Sequence, residues 1–216
     1  MSHKKTRGIV LGKGITGEEK VTFKDPATGK FYKCRYYKTW HEMLTRCFSE
    51  KARIRRPHLS EVICCEEWLY FPNFKRWVID YESKYGTTEG LVLDKDILVM
   101  GNKEYHPDKC CFISKELNMI FSGTGRGNKN GTGVYEQPLP DGWKKYQAYV
   151  NINNKKKSLG TYYTAIEAHK AWQIAMIDKI KNIIKTLNCD IVIKGLEQRI
   201  GILKDDHNNS RFTSKL

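Results

Sequence analysis

The run Tyr146-Gln147-Ala148-Tyr149-Val150-Asn151-Ile152-Asn153-Asn154-Lys155-Lys156-Lys157-Ser158-Leu159-Gly160-Thr161-Tyr162 reads as two β-strands, residues 146–152 and 156–162, joined by an Asn153-Asn154 turn suited to a hairpin. A third strand is expected at residues 133–136. Directly after the hairpin, Thr164-x-x-Glu167 is a capping box that opens a helix. Ala168, Ala171, Trp172, Ala175 and Met176 give that helix an apolar face, and it is expected to run to about Thr186. Side chains alternate across a strand, so Tyr135, Gln147, Tyr149 and Asn151 would point away from the helix, with Lys144, Lys145, Lys155, Lys156 and Lys157 flanking them. Such a face is either the solvated side of a half-buried sheet or a contact surface. Lys mixed with Tyr, Gln and Asn, and no acid between Lys144 and Tyr163, favours contact.

The charge of the whole chain agrees. Its 216 residues hold 38 Lys and Arg against 24 acids, a formal net charge of +14, which favours a polyanionic partner. Nucleic acid leads, and an anionic membrane surface is the rival. Residues 126–186 carry eleven bases and four acids, whereas residues 61–100 carry four bases and eight acids. The basic module is expected to bind polyanion, and the acidic middle has the composition to hold a cation. Hydrophobic residues at 40% and five Trp exclude a disordered basic tail. No apolar run is long enough to cross a bilayer and residues 1–14 lack a secretory core, so no membrane association and a cytoplasmic location are expected. Seven scattered Cys fit a reducing compartment.

Upstream, residues 1–38 read as an ordered but peripheral lead-in, with a turn at Asp25-Pro26-Ala27-Thr28-Gly29. Trp40, Met43, Leu44 and Cys47 have helical spacing, as do Phe71, Phe74, Trp77, Val78 and Tyr81, a unit ended by Gly86 and Gly90. Between them, residues 51–56, closed by Pro57, read as a basic loop whose Arg53, Arg55 and Arg56 are candidates for phosphate contact. Residues 91–98 read as a buried strand interrupted by Asp94-Lys95-Asp96, and residues 110–113 as a second strand before a helix that Ser114 can cap. Residues 122–132 have the Gly, Asn and Lys composition of a linker. Expected domains are therefore 1–121, with the strand-loop-strand-helix unit at about 91–121, and 133–186, followed by an extension, 187–216, with an apolar segment at 191–203 and a polar tail that frays.

Two resemblances sharpen this. Gly133-Val134-Tyr135, the 146–150 and 157–162 strands and Glu167-Ala168-His169-Lys170-Ala171-Trp172 resemble the APETALA or ethylene-response-factor type domain, which implies a sheet that enters the DNA major groove. Tyr36-Tyr37-Lys38-Thr39-Trp40, Met43-Leu44-Thr45-Arg46-Cys47, Cys65-Glu66-Glu67-Trp68, Phe71-Pro72-Asn73-Phe74, Leu93-Asp94-Lys95-Asp96-Ile97 and Gly101-Asn102-Lys103 are similar to phage HNH-type homing endonucleases. That resemblance covers about residues 8–179.

The HNH resemblance implies a ββα motif holding Mg²⁺ or Mn²⁺, with Asp94 as the strand ligand, Asn118 as the helix ligand and Asn102 as an orienting residue. The chain departs from the pattern at Lys95, which stands where the general-base His is expected; an ammonium accepts no proton, although it can clamp a phosphate. Asp96 flanks it, and His106 is the nearest imidazole. Cys34, Cys47, Cys65 and Cys110 could make a zinc site, but no C-x-x-C pair exists among them, so buried small hydrophobes account for them better. The expectation is thus an α+β protein: an N-terminal helical region with a degenerate HNH-like ββα motif, then a three-stranded antiparallel sheet packed on one helix. Its expected function is metal-dependent cleavage of double-stranded DNA; the alternative is DNA binding by a catalytically inactive nuclease fold.

Overall fold

The computed structural model describes residues 8–122, 129–152, 155–214 and 216. The chain is mixed α+β and divides into two compact units, Met1–Lys115 and Glu116–Leu216. The division falls inside a helix just ahead of the Gly, Asn and Lys stretch. Residues 123–128 of that stretch, like Asn153 and Asn154 of the expected turn, lie outside the described residues.

In the first unit, β1 (Ile9–Val10) pairs with β2 (Gly14–Ile15) and β3 (Thr22–Lys24) with β4 (Phe31–Lys33), each antiparallel. Then come α1 (Arg35–Phe48), α2 (Glu50–Arg55), β5 (Ile63–Cys64), α3 (Phe71–Tyr85), β6 (Val92–Asp94), β7 (Glu104–Tyr105) and β8 (Cys111–Ile113). The two spacings read as helices are α1 and α3, and their apolar faces meet: Trp40, Met43, Leu44, Phe71, Phe74 and Val78 are buried. Trp40 Nε1 donates to the Trp68 carbonyl at 2.6 Å, so the indole enters the core with its polar atom satisfied. Gly86, at φ 89°, ends α3 in a backbone region that Gly adopts readily.

Two expectations for this unit are corrected. Residues 51–55 are helix, not loop, with Arg56 as C-cap: Ser49 accepts from the Ala52 amide as N-cap, Glu50 lies in the first turn and Arg53 and Arg55 in the last, which suits the helix dipole. The strand expected over residues 91–98 stops at Asp94, because the Asp94 carboxylate captures the next amides and turns the chain. What remains, β6, pairs antiparallel with β8 (Asp94 opposite Cys111), while β5 and β7 pair in parallel.

The helix α4 (Lys115–Ser122) spans the division. The second unit continues with β9 (Val134–Pro138), β10 (Lys144–Ile152) and β11 (Lys155–Tyr162), an antiparallel sheet in the order β11-β10-β9, then α5 (Ala165–Ile184) and α6 (Asp190–Asn208). Val134, Ala148 and Ala168 form a buried cluster against which Tyr146, Leu159, Tyr162 and Ala171 pack. Small residues at Ala148 and Ala168 bring sheet and helix close. Gly133 is required for a similar reason: its φ is +79° and a Cβ there would lie 2.1 Å from Trp172 Cδ1. The capping box forms as expected, with Thr164 Oγ1 accepting from the Glu167 amide and Glu167 Oε2 from the Thr164 amide.

The C-terminal tail does not fray. Thr213 and Leu216 are buried. His169 Nε2 accepts from the Thr213 amide at 2.9 Å, and Gln173 Nε2 donates to the Arg211 carbonyl at 2.9 Å and to Thr213 Oγ1 at 3.0 Å. Buried polar groups on α5 need partners, and the tail supplies them for His169 Nε2 and Gln173 Nε2. Among the described residues no helix is long and apolar enough to cross a membrane.

Candidate nucleic-acid interface

The ladder of the sheet sorts its side chains. Tyr146, Ala148 and Val150 face α5, so Lys145, Gln147, Tyr149 and Asn151 occupy the opposite, helix-free side of β10. Pairing carries this parity outward: Gln147 is opposite Tyr135 and Thr161, Tyr149 opposite Ser158, and Asn151 opposite Lys156. Tyr135, Lys145, Gln147, Tyr149, Asn151 and Lys156 therefore share one face. Lys157 and Lys155 sit opposite Val150 and Ile152, and Lys144 has the parity of Tyr146; these three lie in register with the helix side, all exposed. Because β11 is an edge strand, Lys155 and Lys157 line the rim.

The helix-free face is internally organised. Lys156 Nζ lies 3.8 Å from the ring centroid of Tyr135 and 4.0 Å from that of Tyr149, and the two rings meet edge to face at 5.5 Å. Tyr149 Oη donates to Gln147 Oε1 at 2.7 Å, and Gln147 Nε2 donates to Gln137 Oε1 at 2.7 Å. A cation, two phenols and two amides are thus held in one array, with no acid among the described residues of that face. Lys144 is differently placed. Its Nζ lies 2.6 Å from Glu136 Oε1, and this contact holds the Glu136 carboxyl down to about 2. Lys179 reaches from α5 to the Asn151 carbonyl at 2.6 Å, and burial lowers its pKa.

At the end of the sheet, Trp143 and Tyr163 are 75% and 80% exposed and line a shallow open cleft with Asp141, Lys144 and Tyr146. Lys145 Nζ lies 5.6 Å from the Tyr163 centroid. Gln137, Trp143 and Tyr163 were not singled out by sequence. Gln137 had a usable signal, since it lies two residues beyond Tyr135 on the same strand.

In the first unit the expected residues have different surroundings. Arg53 turns inward to donate from Nη2 to the Cys47 carbonyl, whereas Arg55 and Arg56 are exposed. Asp94 Oδ1 accepts from the amides of Asp96 and Ile97, at 2.8 and 2.7 Å, and burial raises the pKa of its carboxyl. Lys95 Nζ donates to Asp96 Oδ2 and to the Asn102 carbonyl, both at 2.8 Å. Asn102 Nδ2 returns to the Lys95 and Glu104 carbonyls, both at 2.7 Å, and its Oδ1 accepts from the Glu104 amide. The structure therefore brings Asp94, Lys95, Asp96 and Asn102 into one loop, in which Asn102 pins the backbone. His106 Nδ1 accepts from the Asp108 amide at 3.2 Å. Asn118 lies on α4, in the second unit by the division above. Among the described residues, no group of three or more His, Cys, Asp or Glu side chains is placed to hold a metal ion. Cys34 is partly exposed just before α1; Cys47 and Cys110 are buried thiols pushed up to about 12 by desolvation, and Cys65 is lowered by the Cys64 thiol.

No protein-family model, curated protein or solved structure matches this chain.

Proposed function

We propose that the chain binds double-stranded DNA through the helix-free face of the β9-β10-β11 sheet, as the phage HNH-type proteins with APETALA-type domains that it resembles are expected to do. The observation that carries this reading is the acid-free array around Lys156: an ammonium fixed over two phenol rings beside two amides. Lysine supplies phosphate contact, and Gln147 and Asn151 have the donor and acceptor groups that meet base edges in the major groove. Lys145, Lys155 and Lys157 extend the positive surface to the rim.

Of the two activities the resemblance implies, the surroundings of Asp94 favour binding without hydrolysis. One carboxylate oxygen already serves two backbone amides, and Lys95 acts as a donor to Asp96 and Asn102 rather than as a base. Duplex binding as proposed uses no metal.

Titration of a labelled duplex by fluorescence anisotropy at several salt concentrations tests the proposal. Each phosphate contact contributes about 0.9 to the slope of log K against log salt, so a slope of −3 or steeper is expected. Affinity indifferent to salt, or unaffected by Lys156→Gln, would overturn it. Incubation with supercoiled plasmid and Mg²⁺ or Mn²⁺ should give no nicking; nicking that Asp94→Ala abolishes would restore the nuclease reading.

A further inference from the structure

The hairpin β3–β4 is a ribbon with little to cover it. Its strands pair Thr22 with Lys33, Phe23 with Tyr32 and Lys24 with Phe31. Every residue of β4 is exposed, with Phe31 at 74% and Tyr32 at 51%. An aromatic ribbon left uncovered is unusual for a strand pair that serves only the core.

The ribbon is nevertheless rigidly built. Asp25 Oδ1 accepts from the Ala27 amide at 2.9 Å and the Thr28 amide at 3.4 Å, and Oδ2 from Thr28 Oγ1 at 2.7 Å. The Asp25 amide donates to the Lys30 carbonyl and the Gly29 amide to the Asp25 carbonyl, both at 2.8 Å. At the base, the Cys34 amide donates to the Val21 carbonyl at 2.9 Å. Phe23 and Tyr32 stack at 5.7 Å with Lys20 Nζ 5.4 Å from the Phe23 centroid, and Lys33 Nζ lies 5.3 Å from the Tyr37 centroid.

Charge identifies the partner. Residues 20–33 hold four lysines, Lys20, Lys24, Lys30 and Lys33, and one acid, Asp25, whose carboxylate is spent on the turn. Among the described residues Lys24 and Lys30 have no ion-pair partner, and both are exposed. A two-stranded ribbon is one of the shapes the DNA major groove admits, and lysines along its strands would meet the flanking phosphates.

We propose that the β3–β4 hairpin is a second contact for duplex DNA, made by the first unit independently of the β9-β10-β11 sheet. This rests on the reading that the partner of the chain is duplex DNA. The ribbon enters a groove tip first, Lys24 and Lys30 meet phosphates, and the Phe31 ring packs on the groove wall.

Two measurements on the full chain test this. Phe31 replaced by photoreactive p-benzoylphenylalanine should cross-link to a labelled duplex on irradiation. The double substitution Lys24→Gln and Lys30→Gln should weaken duplex binding and make the salt slope shallower by about 1.8, that is, two phosphate contacts at about 0.9 each. Lys156→Gln provides the comparison. If Lys156→Gln weakens binding while the hairpin variant leaves affinity and slope unchanged and Phe31 gives no DNA cross-link, the hairpin proposal is overturned and the sheet reading stands. If the wild-type chain shows no salt-dependent duplex binding, both fall. A hairpin variant that binds DNA normally but self-associates would overturn the proposal too, since the lysines then serve only to keep exposed strands from pairing with other copies.

Discussion

Lys156 belongs to one edge strand of the sheet and Tyr135 to the other, yet the ammonium lies 3.8 Å from the phenol ring, having crossed the central strand above Tyr149. The two rings hold the charge over the middle of the face. A lysine left to itself samples many rotamers, whereas one fixed by cation–π contact meets a phosphate with part of its ordering already complete.

Tyr149→Ala removes one ring of that seat and the phenol that donates to Gln147. Duplex affinity measured by anisotropy should fall about 5- to 10-fold, in line with about 1–1.4 kcal/mol for a cation–π contact together with a hydrogen bond. The salt slope should change little, because the lysine is still present. Lys156→Gln should lower affinity and also make the slope shallower by about 0.9.

Substitutions at Asp94 separate a turn from a metal ligand. Asp94→Asn keeps an oxygen for the amides of Asp96 and Ile97 and discards a buried charge, so thermal stability should be unchanged or slightly raised. Asp94→Ala leaves both amides without their acceptor and should cost about 1–3 kcal/mol in denaturant unfolding. Equal losses for the two variants would contradict the turn role.

His169 fixes a pH dependence. Its Nδ1 lies 3.1 Å from the Thr132 carbonyl and Nε2 accepts from Thr213, so the ring is neutral with its proton on Nδ1. Desolvation lowers its pKa below the ordinary 6.5. With the folded value below the unfolded one, protons bind the unfolded chain more tightly, and the stabilisation is complete above about 6.5 and is lost as pH falls below it. Wild type should lose Tm between pH 7 and 5 more steeply than His169→Gln, and the amide of Thr213 should lose hydrogen-exchange protection over the same interval.

Gly133→Ala meets a positive φ and the Trp172 indole at once. A loss of 2 kcal/mol or more in chemical denaturation is expected, from strain together with overpacking. Gly142→Ala, also at positive φ but with open space around a Cβ, should cost about 1 kcal/mol. A similar cost for both would assign the whole effect to backbone conformation.

The periodic parts of the fold were legible in the sequence. α1, α3 and α5 follow from apolar spacing, and the helix-free face from alternation along β10. The misreadings share a cause, a polar side chain bonded to nearby backbone. Ser49 turns a basic run into α2, and the Asp94 carboxylate ends a strand that hydrophobicity alone would continue. The docked tail was illegible for another reason: Thr213 is held by His169 and Gln173 some forty residues away, a relationship that no local pattern contains. Alternation placed Tyr135, Gln147, Tyr149 and Asn151 on the helix-free face, but the selection of Lys156 from three consecutive lysines needed the register.

The separation of the two sides of the sheet also bears on how such a surface can change over time. Val134, Tyr146, Ala148, Val150, Leu159 and Tyr162 lie on the side of the sheet that packs on α5, so Gln147, Tyr149 and Asn151 can be exchanged without touching the packing that holds the module together. Under the proposed DNA-binding role, mutation can therefore explore new recognition preferences on an unchanged scaffold, and a library randomised at those three positions should consist mostly of folded members.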